Sequence, residues 1–158
     1  MPTDDSWCSG EVADQRARKI GIEMLENDQG SQQLGLKITK HNARQCQVEM
    51  SITSNMTNGH DICHGGYIFS LADSALAFAC NGVGVVAVTS AAQIDFMNAA
   101  NLGDVLSAEA TVKFRQGRQL ICDVKICNQE SQLIALCRGR QVSINNRSHT
   151  QNNVGSKI

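Results

Sequence analysis

The run Asn58-Gly59-His60-Asp61-Ile62-Cys63-His64-Gly65-Gly66, followed directly by Tyr67-Ile68-Phe69-Ser70-Leu71-Ala72-Asp73-Ser74-Ala75-Leu76-Ala77-Phe78-Ala79-Cys80-Asn81-Gly82, decides how this chain folds. The first part is polar and glycine-bearing. The second reads as a helix that is apolar almost all round, and such a helix is buried on most of its sides. Its polar residues, Ser70, Asp73 and Ser74, fall at i, i+3 and i+4 and share one face. A carboxylate in the middle of a buried helix is costly and needs a reason.

Gly65 and Gly66 open this helix, so backbone can approach a ligand there without side-chain obstruction. The first N–H groups of a helix have no intrahelical partner, and the macrodipole adds partial positive charge. The turn is therefore suited to hold an oxyanion or a carbonyl oxygen. Asp73 lies about two turns further on, roughly 12 Å by helical rise. A Gly65 donor and the Asp73 of the same chain are too far apart to act on one carbon. If they act together, the Asp73 comes from a second copy, and the site is shared across a dimer.

At these residues the chain resembles the hotdog-fold acyl-CoA thioesterases, in the branch of the phenylacetic-acid degradation thioesterase. The matching motifs are Asn58-Gly59, His64-Gly65-Gly66 and Leu71-Ala72-Asp73. The Glu26-Asn27-Asp28 and Leu34-Gly35 run, Ile94-Asp95-Phe96 and Gly139 match as well, so the resemblance spans roughly residues 20 to 145. Several separated motifs agree in order and spacing, which makes it specific. It implies an α+β hotdog fold, an antiparallel sheet wrapped around a central buried helix. It also implies a cytoplasmic homotetramer, built as a dimer of dimers, that hydrolyses phenylacetyl-CoA or a ring-hydroxylated derivative to free acid and CoA.

The rest of the sequence is read outward from this core. A chain of 158 residues is a normal size for one domain. A net charge of −1 and a pI near 6.4 give no electrostatic reason to invoke nucleic acid. The N-terminus has no apolar run of signal-peptide length and no stretch approaches a membrane span, the one long apolar run, Tyr67 to Cys80, being broken by Asp73, so a soluble, cytoplasmic protein is expected. The seven cysteines (Cys8, Cys46, Cys63, Cys80, Cys122, Cys127 and Cys137) are odd in number and show no C-x-x-C spacing. They read as reduced thiols rather than a disulfide framework.

Residues 1–10 read as a flexible leader, partly ordered through Trp7, residues 11–145 as the domain, and the Asn-, Ser- and Gln-rich tail 146–158 as disordered. A helix is expected over 11–27 with Val12, Ile20 and Met24 on its apolar face, joined by Ala13, Ala17 and Leu25. A helical turn follows over 29–34. Gly35–His41 reads as a strand. Cys46, Val48, Met50 and Ile52 then alternate with polar residues at a period of two. After the central helix, 83–97 reads as a strand with Thr89, Ala91, Gln93 and Asp95 on one face. In 104–115, Leu106, Ala108, Ala110, Val112 and Phe114 oppose the polar set. Gln116-Gly117-Arg118 is a hairpin turn, and strands over 120–127 and 133–144 complete an α+β domain.

Asp73 is the candidate catalytic carboxylate, as general base for water or as nucleophile through a mixed anhydride. Read from spacing alone, it serves equally as a structural Asp capping a loop or bonded across an interface. The resemblance favours catalysis. It also points to the Gly65 N–H as oxyanion donor and to Asn58 as a group near the water or the leaving sulfur. His64 would orient the loop or assist the carbonyl, and Thr89 would supply a hydroxyl that helps hold water near the carboxylate. Each of these also has an ordinary structural reading: a helix-start glycine needed for backbone shape, an Asn-Gly turn, a loop histidine, a strand threonine. Gly66, Lys113 and Arg118 are carried as contacts to the acyl-CoA, the two cations for its phosphates. CoA here belongs to substrate and product, so no bound cofactor is implied.

Other readings are weaker. Cys63 and His64 are adjacent, and adjacent residues rarely form a catalytic thiolate–imidazole pair. His60, Cys63 and His64 crowd into five residues with no second ligand pair, so no metal is expected. A non-hydrolytic acyl-CoA binding or sensing module is the alternative from another class, but it lacks an output domain and a use for Asp73. A hotdog hydratase would want an Asp and His pair at a different spacing.

Overall fold

The computed structural model describes residues 9–144. The leader reading of 1–10 thus falls mostly outside the described residues, and that of the 146–158 tail wholly so. The elements run α1 (Glu11–Asn27), α2 (Gln29–Gln33), β1 (Lys37–His41), β2 (Gln45–Ser51), α3 (Gly65–Gly82), β3 (Ala87–Phe96), β4 (Val105–Gln116), β5 (Gln119–Cys127) and β6 (Leu133–Ser143). The strands form one antiparallel sheet in the order β1-β2-β4-β5-β6-β3. This sheet packs against α3, which is the hotdog architecture expected.

The alternation in the strands makes that wrapping possible. Cys46, Val48 and Met50 of β2, Leu106, Ala108, Ala110 and Val112 of β4, and Leu120, Cys122, Val124 and Ile126 of β5 all turn inward and are buried. They meet Ile68, Leu71, Ala72, Ala75, Leu76, Phe78 and Ala79 of α3. Small residues on both sides bring helix and sheet close. The extreme case is Gly139 of β6, where a Cβ would come within 2.5 Å of Leu76 Cδ1.

Asn81 fixes where α3 ends and β3 begins. This buried amide donates from Nδ2 to the carbonyls of Ala77 and Ala87, and its Oδ1 accepts from the Ala87 N–H. Residues 83–86 turn the chain instead of extending β3, with Gly84 at φ 93°. The expected strand therefore starts four residues late.

Three expected faces differ. Val12 is 82 % exposed, because α1 docks through Ala17, Ile20 and Gly21 instead. Phe114 points away from the core because β4 shifts register between Val112 and Phe114. Thr89 does not share a face with Ala91, Gln93 and Asp95. A bulge between Thr89 and Ala91 turns Thr89 to the side of Ala92 and Ile94, which pack on the core.

The α1–α3 contact closes around His41. Its ring approaches Gly21 of α1 and lies where a Cβ on Gly82 would come within 2.7 Å of Nε2. Nε2 bonds the Phe78 carbonyl at 3.1 Å, and Nδ1 is buried without a partner. Burial lowers the His41 pKa, a hydrogen bond to Phe78 acts the other way, and the Arg18 charge lowers it further.

Two predictions follow from this packing. Gly139→Ala would ordinarily stiffen a strand and stabilise it. Here it should destabilise by about 1–3 kcal/mol through overpacking against Leu76, read as a lowered urea midpoint. Unchanged or raised stability would contradict the close approach. For His41, the unfolded chain takes up a proton as pH falls below 6.5 while the folded chain resists it. Stability should therefore be full above that pH and decline below it, by up to about 1.4 kcal/mol per pH unit. His41→Gln should flatten this part of the profile.

Candidate active site

Asp73 sits half-buried in the third turn of α3 and faces β3. The Thr89 hydroxyl donates to its Oδ1 at 2.7 Å. Thr89 Oγ1 in turn accepts from Gln141 Nε2 at 3.1 Å, across the β3–β6 ladder where the two residues pair. Among the described residues, Oδ2 of Asp73 receives no hydrogen bond. The other polar residues on this face of α3 are engaged locally. Ser70 Oγ donates to the Gly66 carbonyl, and Ser74 Oγ meets Ser31 Oγ at 3.0 Å, which is itself bonded to Asp28. Asp73 is thus the one acid on α3, with one oxygen anchored and the other open.

The start of α3 is built by the polar loop. His64 is its N-cap, in extended conformation, and its Nδ1 accepts from the Gly66 N–H at 2.9 Å. In the neutral ring the proton then sits on Nε2. The His64 N–H donates to the Met56 carbonyl at 2.7 Å. Gly66, expected as a substrate contact, has its N–H committed to His64. The Gly65 N–H has no partner among the described residues, as the first turn of a helix allows. The Phe96 ring lies against Gly65, where a Cβ would come within 3.0 Å of Cζ.

Asn58 holds the loop in shape. Its Oδ1 accepts from the His60 N–H, its N–H donates to the Ile62 carbonyl, and bridges pair Thr57 with Cys63 and Ile62 with Asn101. The structure therefore joins Asp73 with Thr89, and His64 with Gly66. It does not bring Asn58 into hydrogen-bonding contact with Asp73.

The two cations lie elsewhere in the protomer. Lys113 shares an outer-face cleft with Asp95, Glu109, Asp123, Lys125 and Arg138, where Arg138 forks onto Asp123 at 2.6 and 2.7 Å. Arg118, in the β4–β5 hairpin, donates from Nε to the Ser143 carbonyl. No hydrogen bond or ion pair among the described residues links either one to residues 58–73.

Gln141 carries little signal in the sequence. Its one signal is phase: Cys137, Gly139 and Gln141 fall on the inward positions of β6, where a fully buried amide is out of character. Cys63 is 4 % exposed, burial pushes its thiol up, and Sγ contacts the His64 carbonyl. A thiolate there is disfavoured. Among the described residues, no three His, Cys, Asp or Glu side chains cluster as metal ligands.

Within one protomer the open N–H and the carboxylate are still roughly 12 Å apart by helical rise. One reacting carbon cannot touch both.

The chain matches the family model described as the thioesterase superfamily over residues 60–135. It is 45 % identical over 118 residues to acyl-coenzyme A thioesterase PaaI of Escherichia coli (strain K12), covering 74 % of this chain and 84 % of that protein. The structure of the E. coli PaaI protein from the phenylacetic acid degradation operon superposes with a TM-score of 0.83 at 39 % identity, over 84 % of this chain and 96 % of that one. A hypothetical thioesterase from Streptococcus pneumoniae TIGR4, solved with coenzyme A, superposes with a TM-score of 0.69 at 25 % identity, over 72 % and 91 %.

Since the Cys63 thiol is buried and neutral, Cys63→Ala should keep thioester hydrolysis within about twofold of wild type. A loss of a hundredfold or more, measured as thiol release, would restore a cysteine nucleophile.

Proposed function

The chain belongs to the thioesterase superfamily as an acyl-CoA thioesterase, a thioester hydrolase similar to PaaI; on that premise we propose that its substrate is phenylacetyl-CoA or a ring-hydroxylated phenylacetyl-CoA. The observation that carries the site assignment is the pairing on one helix of an anchored carboxylate, Asp73, and an open N–H, Gly65. In this reading Asp73 of one protomer and Gly65 of another meet on one thioester. Water attacks the carbonyl carbon as Asp73 takes its proton, or the Asp73 carboxylate attacks directly and water opens the resulting anhydride. Both routes form a tetrahedral oxyanion, and the Gly65 N–H and the α3 dipole stabilise it. Collapse breaks the C–S bond and releases CoA.

His64 fixes the loop and presents Nε2–H toward the carbonyl, Asn58 offers its Nδ2 to the water or the leaving sulfur, and Thr89 steadies the carboxylate. The CoA phosphates fall first to Arg118, and Lys113 ranks below it because of the acidic groups around it. Gly66 contributes close backbone approach.

The edge position of β3 supports the dimer: ten residues long, with exposed Val88 and Phe96, it has an unpaired side that a second copy's β3 would cover. Exposed Phe114 and Leu136 support a further pairing of dimers into a homotetramer. The six cysteines among the described residues are free thiols, which fits a reducing cytoplasm. No helix of the described residues is long and apolar enough to cross a membrane.

Two variants test the roles. Asp73→Asn should lower kcat by about 10²–10⁴ on phenylacetyl-CoA while the oligomer persists. Gly65→Pro removes the N–H at a position whose backbone suits proline, since proline fits the first helical position and His64 is already extended; the Phe96 ring, 3.0 Å from the added Cβ, must give way, so folding and oligomer size are checked beside kcat. It should cost about 10²–10³ in kcat. Free thiol is followed across phenylacetyl-, hydroxyphenylacetyl-, benzoyl- and straight-chain acyl-CoAs. Acyl-CoA binding with no thiol release would remove the proposed catalytic roles, and a preference for straight chains would remove the proposed substrate.

A further inference from the structure

We propose that Gln141 is a positioning residue for the hydrolysis, orienting Asp73 through the Thr89 hydroxyl; the inference rests on the role given above to Asp73. The geometry is a chain of two hydrogen bonds, Gln141 Nε2 to Thr89 Oγ1 at 3.1 Å and Thr89 Oγ1 to Asp73 Oδ1 at 2.7 Å. A hydroxyl has one proton and two lone pairs. A carboxylate can only accept, so the Thr89 proton points to Asp73 when the amide occupies a lone pair of the same oxygen. Without the amide the hydroxyl is free to turn its proton elsewhere. The amide thus sets the direction of the hydroxyl and leaves Oδ2 of Asp73 to face the reaction.

Burial makes this more than an incidental contact. Gln141 has no exposed surface, and its Oε1 is buried without a partner. An apolar residue would fill that site at lower cost, because an unpaired buried acceptor destabilises the fold. The fold accommodates that cost at the one point of β6 opposite Thr89.

The β3 bulge serves the same contact. Ala92 and Ile94 pack inward, and an unbroken strand would next turn Ser90 inward. The extra residue turns Thr89 in instead, and Ser90 Oγ bonds the Arg140 carbonyl at 3.1 Å on the outside. Bulge, threonine and glutamine therefore form one device aimed at Asp73.

The test is a double-mutant cycle of Gln141→Met and Thr89→Val, with Asp73→Asn as reference, followed by phenylacetyl-CoA hydrolysis and thermal melting. Gln141→Met should lower kcat about tenfold, the scale of one positioning hydrogen bond, and leave KM within about twofold. Its melting temperature should hold, since a buried unpaired acceptor is removed with the amide. Gln141→Asn, which keeps an amide but ends one methylene short of the hydroxyl, should lose kcat in the same way and supplies the readout if the methionine variant does not fold. In the Thr89→Val background neither change should lower kcat further. Wild-type kcat in a folded Gln141 variant, beside an inactive Asp73→Asn, overturns the positioning role and leaves the Asp73 reading intact. An equal loss with and without Thr89 overturns it too, because Gln141 would then act by another route. Activity that survives in Asp73→Asn overturns the underlying reading and this inference together.

Discussion

An ionisable group in the middle of a helix that is otherwise wrapped in side chains forces the surrounding structure to answer it. Asp73 cannot be left among apolar neighbours. The answer comes from β3. The Thr89 hydroxyl meets Oδ1, and the bulge in β3 exists where it must to bring that hydroxyl round. The alignment depends in turn on Asn81, which bonds the last turn of α3 to the first residue of β3 and so sets their relative position. It also depends on Gly139, which lets Leu76 seat against the sheet one turn along from Asp73. Residues far apart in sequence thus serve one carboxylate.

The same helix carries its second chemical feature at its start. His64 caps α3 and takes up the Gly66 N–H, which leaves the Gly65 N–H as the open donor, beside the Phe96 ring. The two features are held rigidly, and helical rise keeps them roughly 12 Å apart. That rigidity is what turns a fold argument into an assembly argument. A helix cannot bend to bring its first residue and its third turn onto one carbon, so the account requires two chains. The edge strand β3, which carries Thr89, also carries the unpaired side where a second copy would add.

Much of this was legible in the sequence. The unbroken apolar run with one acid gave the buried helix, and strict alternation gave the inward faces of β2, β4 and β5. What sequence pattern could not carry was departure from period. Val12 has the hydrophobicity but not the angular position for the α1 interface, while the glycine at 21, which carries no hydrophobic signal, does sit there. Phe114 and the Thr89 face were misread for a common reason: a bulge shifts phase by one residue without any distinctive composition. Gln141 went unnoticed because its meaning lies in a partner some fifty positions away. Asn58, Lys113 and Arg118 show the opposite limit, since each is a plausible ligand group by type, and within one protomer none makes a contact that tests it.

The central claim is that one thioester is held by Gly65 of one protomer and Asp73 of another. The most direct measurement mixes inactive Asp73→Asn and inactive Gly65→Pro chains, allows subunits to exchange, and follows thiol release from phenylacetyl-CoA. A mixed dimer then contains one site with both native residues, because each chain supplies what the other lacks. With random exchange at equal amounts, activity should rise from near zero to about a quarter of wild type. A mixture that exchanges subunits and stays as inactive as its parents would show that both residues act within one chain, and the shared-site account would be wrong.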